Sequence, residues 1–181
     1  EEDGYDQGVF NGNMPVGSVF MSGGDMILNG RVYTTYQGVN LSGGTLHYNV
    51  PGAVDTSSKT LTISGGSLDN SSGAAITTST TNPTSTWSTS WTFIGSNGAN
   101  SDLNIGTGQA TLTTTPIVTV SNASTTLTIG GVISDGTASY GLTKAGPGTL
   151  KLTGINTYKG ATTVNEGTLV ITEPSLSANG P

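Results

Sequence analysis

Apolar and hydroxyl residues alternate along this chain in short runs, and one phrase keeps returning. Thr60-Leu61-Thr62-Ile63, Thr126-Leu127-Thr128-Ile129, Thr149-Leu150-Lys151-Leu152 and Thr168-Leu169-Val170-Ile171 each carry two apolar side chains two positions apart. A period of two places such a pair on one face of a β-strand. Leu169 repeats the phase of Leu150 in the next copy of the phrase. Ser22-Gly23-Gly24, Ser42-Gly43-Gly44 and Ser64-Gly65-Gly66 recur at similar spacing, followed by apolar Met26, Leu46 and Leu68. Each Gly pair supplies turn conformations that other residues avoid. The expected fold is therefore all-β, a parallel β-helix (β-solenoid) of about eight coils at ~20 residues each. At the spacing of adjacent strands it would be a rod on the order of 40 Å long. The alternative is a β-sandwich, in which Leu150 would not stack on Leu169.

The pattern sets the boundaries. Residues 1–13 carry four acids ahead of Val9 and Phe10, and read as an acidic segment or a connecting strand that covers the open end. The solenoid is expected over residues 14–172. Within it, residues 71–86 lose the alternation and are rich in Ser and Thr around Asn82-Pro83, which predicts a lateral loop. Residues 173–181, with two Pro and Asn179-Gly180, are expected to leave the solenoid as a tail. Helices are not expected, because no window of helical periodicity is free of Gly or clustered β-branched residues.

The densest stretch lies at residues 140–171. It reads Gly141-Leu142-Thr143-Lys144, Gly146, Gly148-Thr149-Leu150, Leu152, Gly154, Asn156-Thr157-Tyr158, Gly160, Thr162, Val164 and Gly167-Thr168-Leu169. This resembles the autotransporter-associated β-strand repeat of bacterial passenger domains and related secreted proteins. The resemblance implies a right-handed parallel β-helix on or outside a bacterial cell. It implies no chemistry, because the motif is a structural one.

Composition narrows the partners. Charged residues make up 9% of the chain, against 53 Ser and Thr and 28 Gly, so solubility rests on hydroxyls and amides. A net charge of −6 with five Lys and Arg argues against phosphate-directed nucleic-acid binding. There is no Cys for disulfides or thiolate metal sites, which fits an exposed extracellular chain. No run approaches the ~18 apolar residues of a membrane span. A chain that opens at Glu1 rather than Met is expected to be a processed product.

Catalytic chemistry finds little support. His47, the single His, sits between Leu46 and Tyr48 and is expected to face solvent. No nucleophile elbow accompanies it. Asp25, Asp55, Asp69, Asp102, Asp135 and Glu166 read as solvated turn residues rather than paired carboxylates. Asp3 and Asp6 lack the ligand set of a calcium loop, and the Gly-Asp nonapeptide of calcium-binding solenoids is absent. No enzyme, cofactor or metal is expected. Stacked Asn or Thr ladders along the coils are the expected role of such polar residues, and Asn156 and Asn165, each near a Gly, are candidates for left-handed corners.

Two functions remain. A solenoid end exposes unpaired backbone and an apolar cross-section. No capping helix is legible here, which favours an extracellular structural protein that assembles head to tail with copies of itself into a filament or surface layer. Val9 and Phe10 at one end, or Pro174 and Leu176 in the tail, are the expected contacts. The alternative is an adhesin module for glycans or host surfaces. Trp87, Trp91 and Phe93 share one strand face, and Trp87 and Trp91 would be its aromatic platform unless they pack inward.

Overall fold

The computed structural model describes residues 7–11, 14–30, 32–51, 53–55, 60–78 and 83–172. Its strands are β1 (Gln7–Phe10), β2 (Met14–Leu28), β3 (Val32–Tyr48), β4 (Val54–Asp55), β5 (Thr60–Ile63), β6 (Ser67–Asp69), β7 (Ile76–Thr77), β8 (Thr84–Trp87) and β9 (Trp91–Phe93). They continue as β10 (Leu103–Asn104), β11 (Ala110–Leu112), β12 (Ile117–Val120), β13 (Thr126–Ile129), β14 (Ile133–Ser134), β15 (Leu142–Ala145), β16 (Thr149–Leu152), β17 (Thr162–Val164) and β18 (Thr168–Ile171). Gly98–Asn100 form a short 3-10 turn, the one helical element among the described residues.

All of these strands pair in parallel, in one 13-stranded and one five-stranded sheet. Parallel pairing of successive passes of the chain is a solenoid and excludes the sandwich. From Gln7 the register steps to Asp25, Thr45, Ser67, Thr92, Thr119 and Ala145, about six turns, and β17 then lies on β15. The interval between partners is shortest at the first step, from Gln7 to Asp25, and longest from Thr92 to Thr119. It shortens again from Lys144 to Val164. Most coils are therefore longer than a constant ~20-residue repeat gives, and there are fewer of them.

Inward columns make the core. Met21, Leu41, Ile63, Trp87 and Leu112 stack in register and are all buried. So are Leu103, Leu127 and Leu150 on the five-stranded sheet. The three Ser-Gly-Gly corners also stack, with Gly24, Gly44 and Gly66 at positive φ. At Gly44 a Cβ would run into the carbonyl oxygen of Gly24 in the coil below, so the corner admits only glycine there.

Hydroxyls tie the same corner together. Ser42, Ser64, Ser88 and Thr113 each donate a side-chain hydrogen bond to a carbonyl one coil below, on Met21, Leu41, Ile63 and Trp87 respectively. An asparagine ladder forms where the chain leaves β2 and β3. Asn29 Nδ2 donates to Asn11 Oδ1, Asn49 Nδ2 donates to Asn29 Oδ1, and the Ser71 hydroxyl donates to Asn49 Oδ1, all at 2.9 Å. A ladder of the expected kind is thus present at these residues. Asn156 is buried, and its Oδ1 accepts the Ile133 backbone N–H at 2.8 Å. Asn165 is exposed and joins the stack through its backbone N–H, which donates to the Lys144 carbonyl.

Two segments differ from expectation. Residues 71–86 contribute β7 and β8 to the sheets, with Ile76 and Ser85 buried, rather than a lateral loop; residues 79–82 lie outside the described part. Residues 7–10 pair with β2, so this part of the acidic segment is a strand of the solenoid. The expected tail at 173–181 lies outside the described residues.

Candidate functional site

Trp87 and Trp91 do not form an exposed platform. Both are buried, with ring centroids 5.2 Å apart in an edge-to-face pair. The alternation of β8 and β9 directs them, with Phe93, into the coil, where their volume fills the longest turns of the solenoid. A sugar has no face to stack on there. Their indole nitrogens have no hydrogen-bond partner. The expected end contacts divide. Val9 is exposed on β1, Phe10 stands in backbone register with Leu28, and Pro174 and Leu176 lie outside the described residues.

His47 is the centre of a polar cluster that spans three coils. It does point away from the core, as Leu46 and Tyr48 on either side point in, but it is not free in solvent. Its Nδ1 lies 3.2 Å from Asp69 Oδ2 and 3.2 Å from Ser71 Oγ, and its Nε2 lies 3.8 Å from Asp25 Oδ1. Asp69, expected as a solvated turn residue, is 1% exposed. It also accepts the Ser96 backbone N–H at 3.0 Å and the Ser96 hydroxyl at 2.7 Å. The hydrogen bond from His47 to Asp69 raises the imidazole pKa, burial opposes it, and both carboxylates add to the rise. Burial pushes the Asp69 carboxyl up, but hydrogen bonds from His47 and Ser96 outweigh it and hold the carboxyl below its ordinary range.

This cluster is not a catalytic triad. A triad places serine and carboxylate on opposite ring nitrogens. Here both face Nδ1, and the Ser71 hydroxyl spends its proton on Asn49. His47 therefore donates to Ser71 and cannot serve as its base.

Two lysines are used structurally. Lys144 shares the inward phase of Leu142 on β15 and is wholly buried. Its ammonium donates to the carbonyls of Ala145, Gly146 and Glu166 at 2.8, 2.7 and 3.2 Å. Burial lowers its pKa, against the pull of Glu166. Lys159 reaches Asp135 Oδ1 at 3.0 Å and the carbonyls of Gly136 and Ala138, closing the turn at 135–138. Asp135 is buried rather than solvated. Burial raises its pKa, but the backbone N–H and ammonium of Lys159 bring it below the ordinary value.

The outer face of the five-stranded sheet forms a shallow groove of about 510 Å³ beside Thr77, Asn104, Thr128 and Lys151. Asp102 is its single carboxylate, and it already accepts the Thr126 backbone N–H at 2.7 Å. Paired carboxylates for hydrolysis are not assembled there. Among the described residues no three His, Cys, Asp or Glu side chains converge on a metal position.

Among the described residues, those of the last coil at 161–172 are exposed or half-buried. Leu150 and Leu152 are buried, whereas Leu169 and Ile171, in register on them, are only half-buried. Val164 and Ile155 are exposed nearby in the chain. Among the described residues, no strand pairs with β18 on the side away from β16.

Comparisons with known proteins find similarity in the C-terminal part of the chain. Residues 142–171 match the family described as the passenger-associated-transport-repeat. A 48-residue segment, 26% of the chain, is 48% identical to the adhesin BmaC autotransporter of Brucella suis biovar 1 (strain 1330). The chain spans about 1% of the length of that relative. No solved structure matches.

Proposed function

We propose that this chain is a secreted or cell-surface structural protein, a β-solenoid rod that extends by stacking end to end with copies of itself. The observation that carries the reading is the half-open last coil. Leu169 and Ile171 present the same apolar phase that Leu150 and Leu152 bury. Among the described residues nothing pairs with the edge of β18 away from β16, and such an edge can take one more parallel strand. The passenger-type repeat supports placement outside the cell. The test is sedimentation velocity with negative-stain microscopy across a wide concentration range. Rods lengthening with concentration are expected, and Leu169→Lys with Ile171→Lys should hold the protein as short single units. A wild-type protein that stays monomeric throughout overturns the reading.

A second reading, an adhesive module, is favoured by one observation. Phe20 is 68% exposed and borders a cleft of about 320 Å³ with Gly38, Asn40 and Thr62. An exposed ring beside amide and hydroxyl groups suits the face of a sugar. Glycan-array binding lost in Phe20→Ala would support it, and an array with no binding by the wild type would remove it.

A further inference from the structure

We propose that Asp25, His47 and Asp69 form a proton-controlled latch that fastens the first described coils to the rest of the solenoid. The latch is independent of end-to-end stacking. Its three residues belong to β2, β3 and β6, which are successive layers of the stack. His47 thus bridges the layer before it and the layer after it through its two ring nitrogens. The chain of contacts continues outward on both sides. Ser96, one layer further on, holds Asp69 with two hydrogen bonds, and Ser71 ties the imidazole to the asparagine ladder at Asn49 and Asn29.

The proton positions follow from the partners. The Ser71 hydroxyl donates to Asn49, so it can only accept from His47, and Nδ1 carries a hydrogen in either charge state. Nδ1–H serves Asp69 and Ser71 together. Nε2 is buried and has no hydrogen-bond partner. A neutral ring leaves Nε2 as a bare lone pair facing a carboxylate 3.8 Å away, which is repulsive. A protonated ring turns the same contact into an attraction between β3 and β2. No other charged group of the described residues reaches His47; Asp25 faces it from β2 and Asp69 from β6.

The sign of the pH dependence is fixed by this arrangement. His47 gains affinity for its proton on folding, so its contribution is complete below the ordinary imidazole pKa of about 6.5. That contribution is lost as the pH rises through the higher folded value. Asp69 loses proton affinity on folding, so its contribution is present above the ordinary carboxylate pKa of about 3.9. It is lost as the pH falls through the lower folded value. The latch is tightest in mild acid and loosens toward alkaline pH.

Amide hydrogen exchange on the intact protein tests this, read as protection factors corrected for the intrinsic pH dependence of exchange. Peptides covering residues 18–28 should gain severalfold protection between pH 8 and pH 5.5, while peptides covering 142–152 should not change. In His47→Gln, which keeps a polar side chain without a titrating charge, the gain should vanish. Asp25→Asn should remove most of the gain while leaving the Asp69 contact in place, and it serves if His47→Gln disturbs the fold. A wild-type protection that is flat with pH, or a gain that survives in both variants, overturns the latch.

Discussion

Leu169 stands in register on Leu150, one coil later, yet Leu150 is 0% exposed and Leu169 is half-buried. The two leucines share a phase and a strand type, but among the described residues only Leu150 has a layer on both sides, Leu127 and Leu169. Leu150→Ala should therefore cost about 2–5 kcal/mol, as for other fully buried leucines. Leu169→Ala should cost clearly less. Denaturant titration of both variants checks this, and equal losses would mean that Leu169 is covered in solution.

The indole pair predicts a spectroscopic signature. Trp87 and Trp91 pack edge to face inside the coil. Their emission should be blue-shifted and resist acrylamide, and soluble glycans should leave it unchanged. Trp87→Ala should destabilise by about 3–5 kcal/mol. Quenching as efficient as that of a free indole would place the rings outside.

Lys144 predicts a penalty unlike that of a surface lysine. Its ammonium satisfies three carbonyls in the interior. Lys144→Met keeps most of the volume and strands those acceptors, so it should cost about 2–4 kcal/mol. Lys151→Met, on the outer face of β16, should lie within about 0.5 kcal/mol of wild type. Thermal unfolding of the two variants side by side separates them.

Asp135 and Lys159 predict acid sensitivity in the C-terminal coils. The folded Asp135 carboxyl lies below its ordinary pKa, so its contribution holds above about pH 3.9. It fades as the pH falls through the folded value. Asp135→Asn should lower stability at pH 7 and flatten the acid limb of the stability–pH curve. Lys159 is partly exposed and its share is screened by solvent, so Lys159→Met should have the smaller effect.

The Ser-Gly-Gly corners predict an intolerance that composition alone would not suggest. Gly44→Ala meets both a left-handed backbone and the Gly24 carbonyl, whereas Gly73→Ala meets a left-handed backbone with open space around it. Gly44→Ala should therefore lower the melting temperature more than Gly73→Ala does.

Local structure was legible in the order of residues alone. Alternation placed Leu150, Leu152, Leu169 and Ile171 on one strand face, and the glycine corners marked where the chain turns. The inward position of Lys144 was legible in its phase with Leu142 but was masked by its charge. These properties depend on neighbours close along the chain, and the backbone period reports them directly.

Which residues meet between coils was settled by how the coils stack. His47 reaches Asp69 across a shorter stretch of chain than separates Asp69 from Ser96, because the coil lengthens as it climbs. A chain with a fixed repeat would have revealed such columns by simple alignment. A repeat whose length drifts from coil to coil does not, and the sequence around Asp25, Asp69 and Asp135 looks like ordinary polar turns. The direction of Trp87 and Trp91 was open for a related reason. Trp87 ends β8 and Trp91 opens β9, so alternation along one strand does not relate them, and only the closure of the coil says which face is inside.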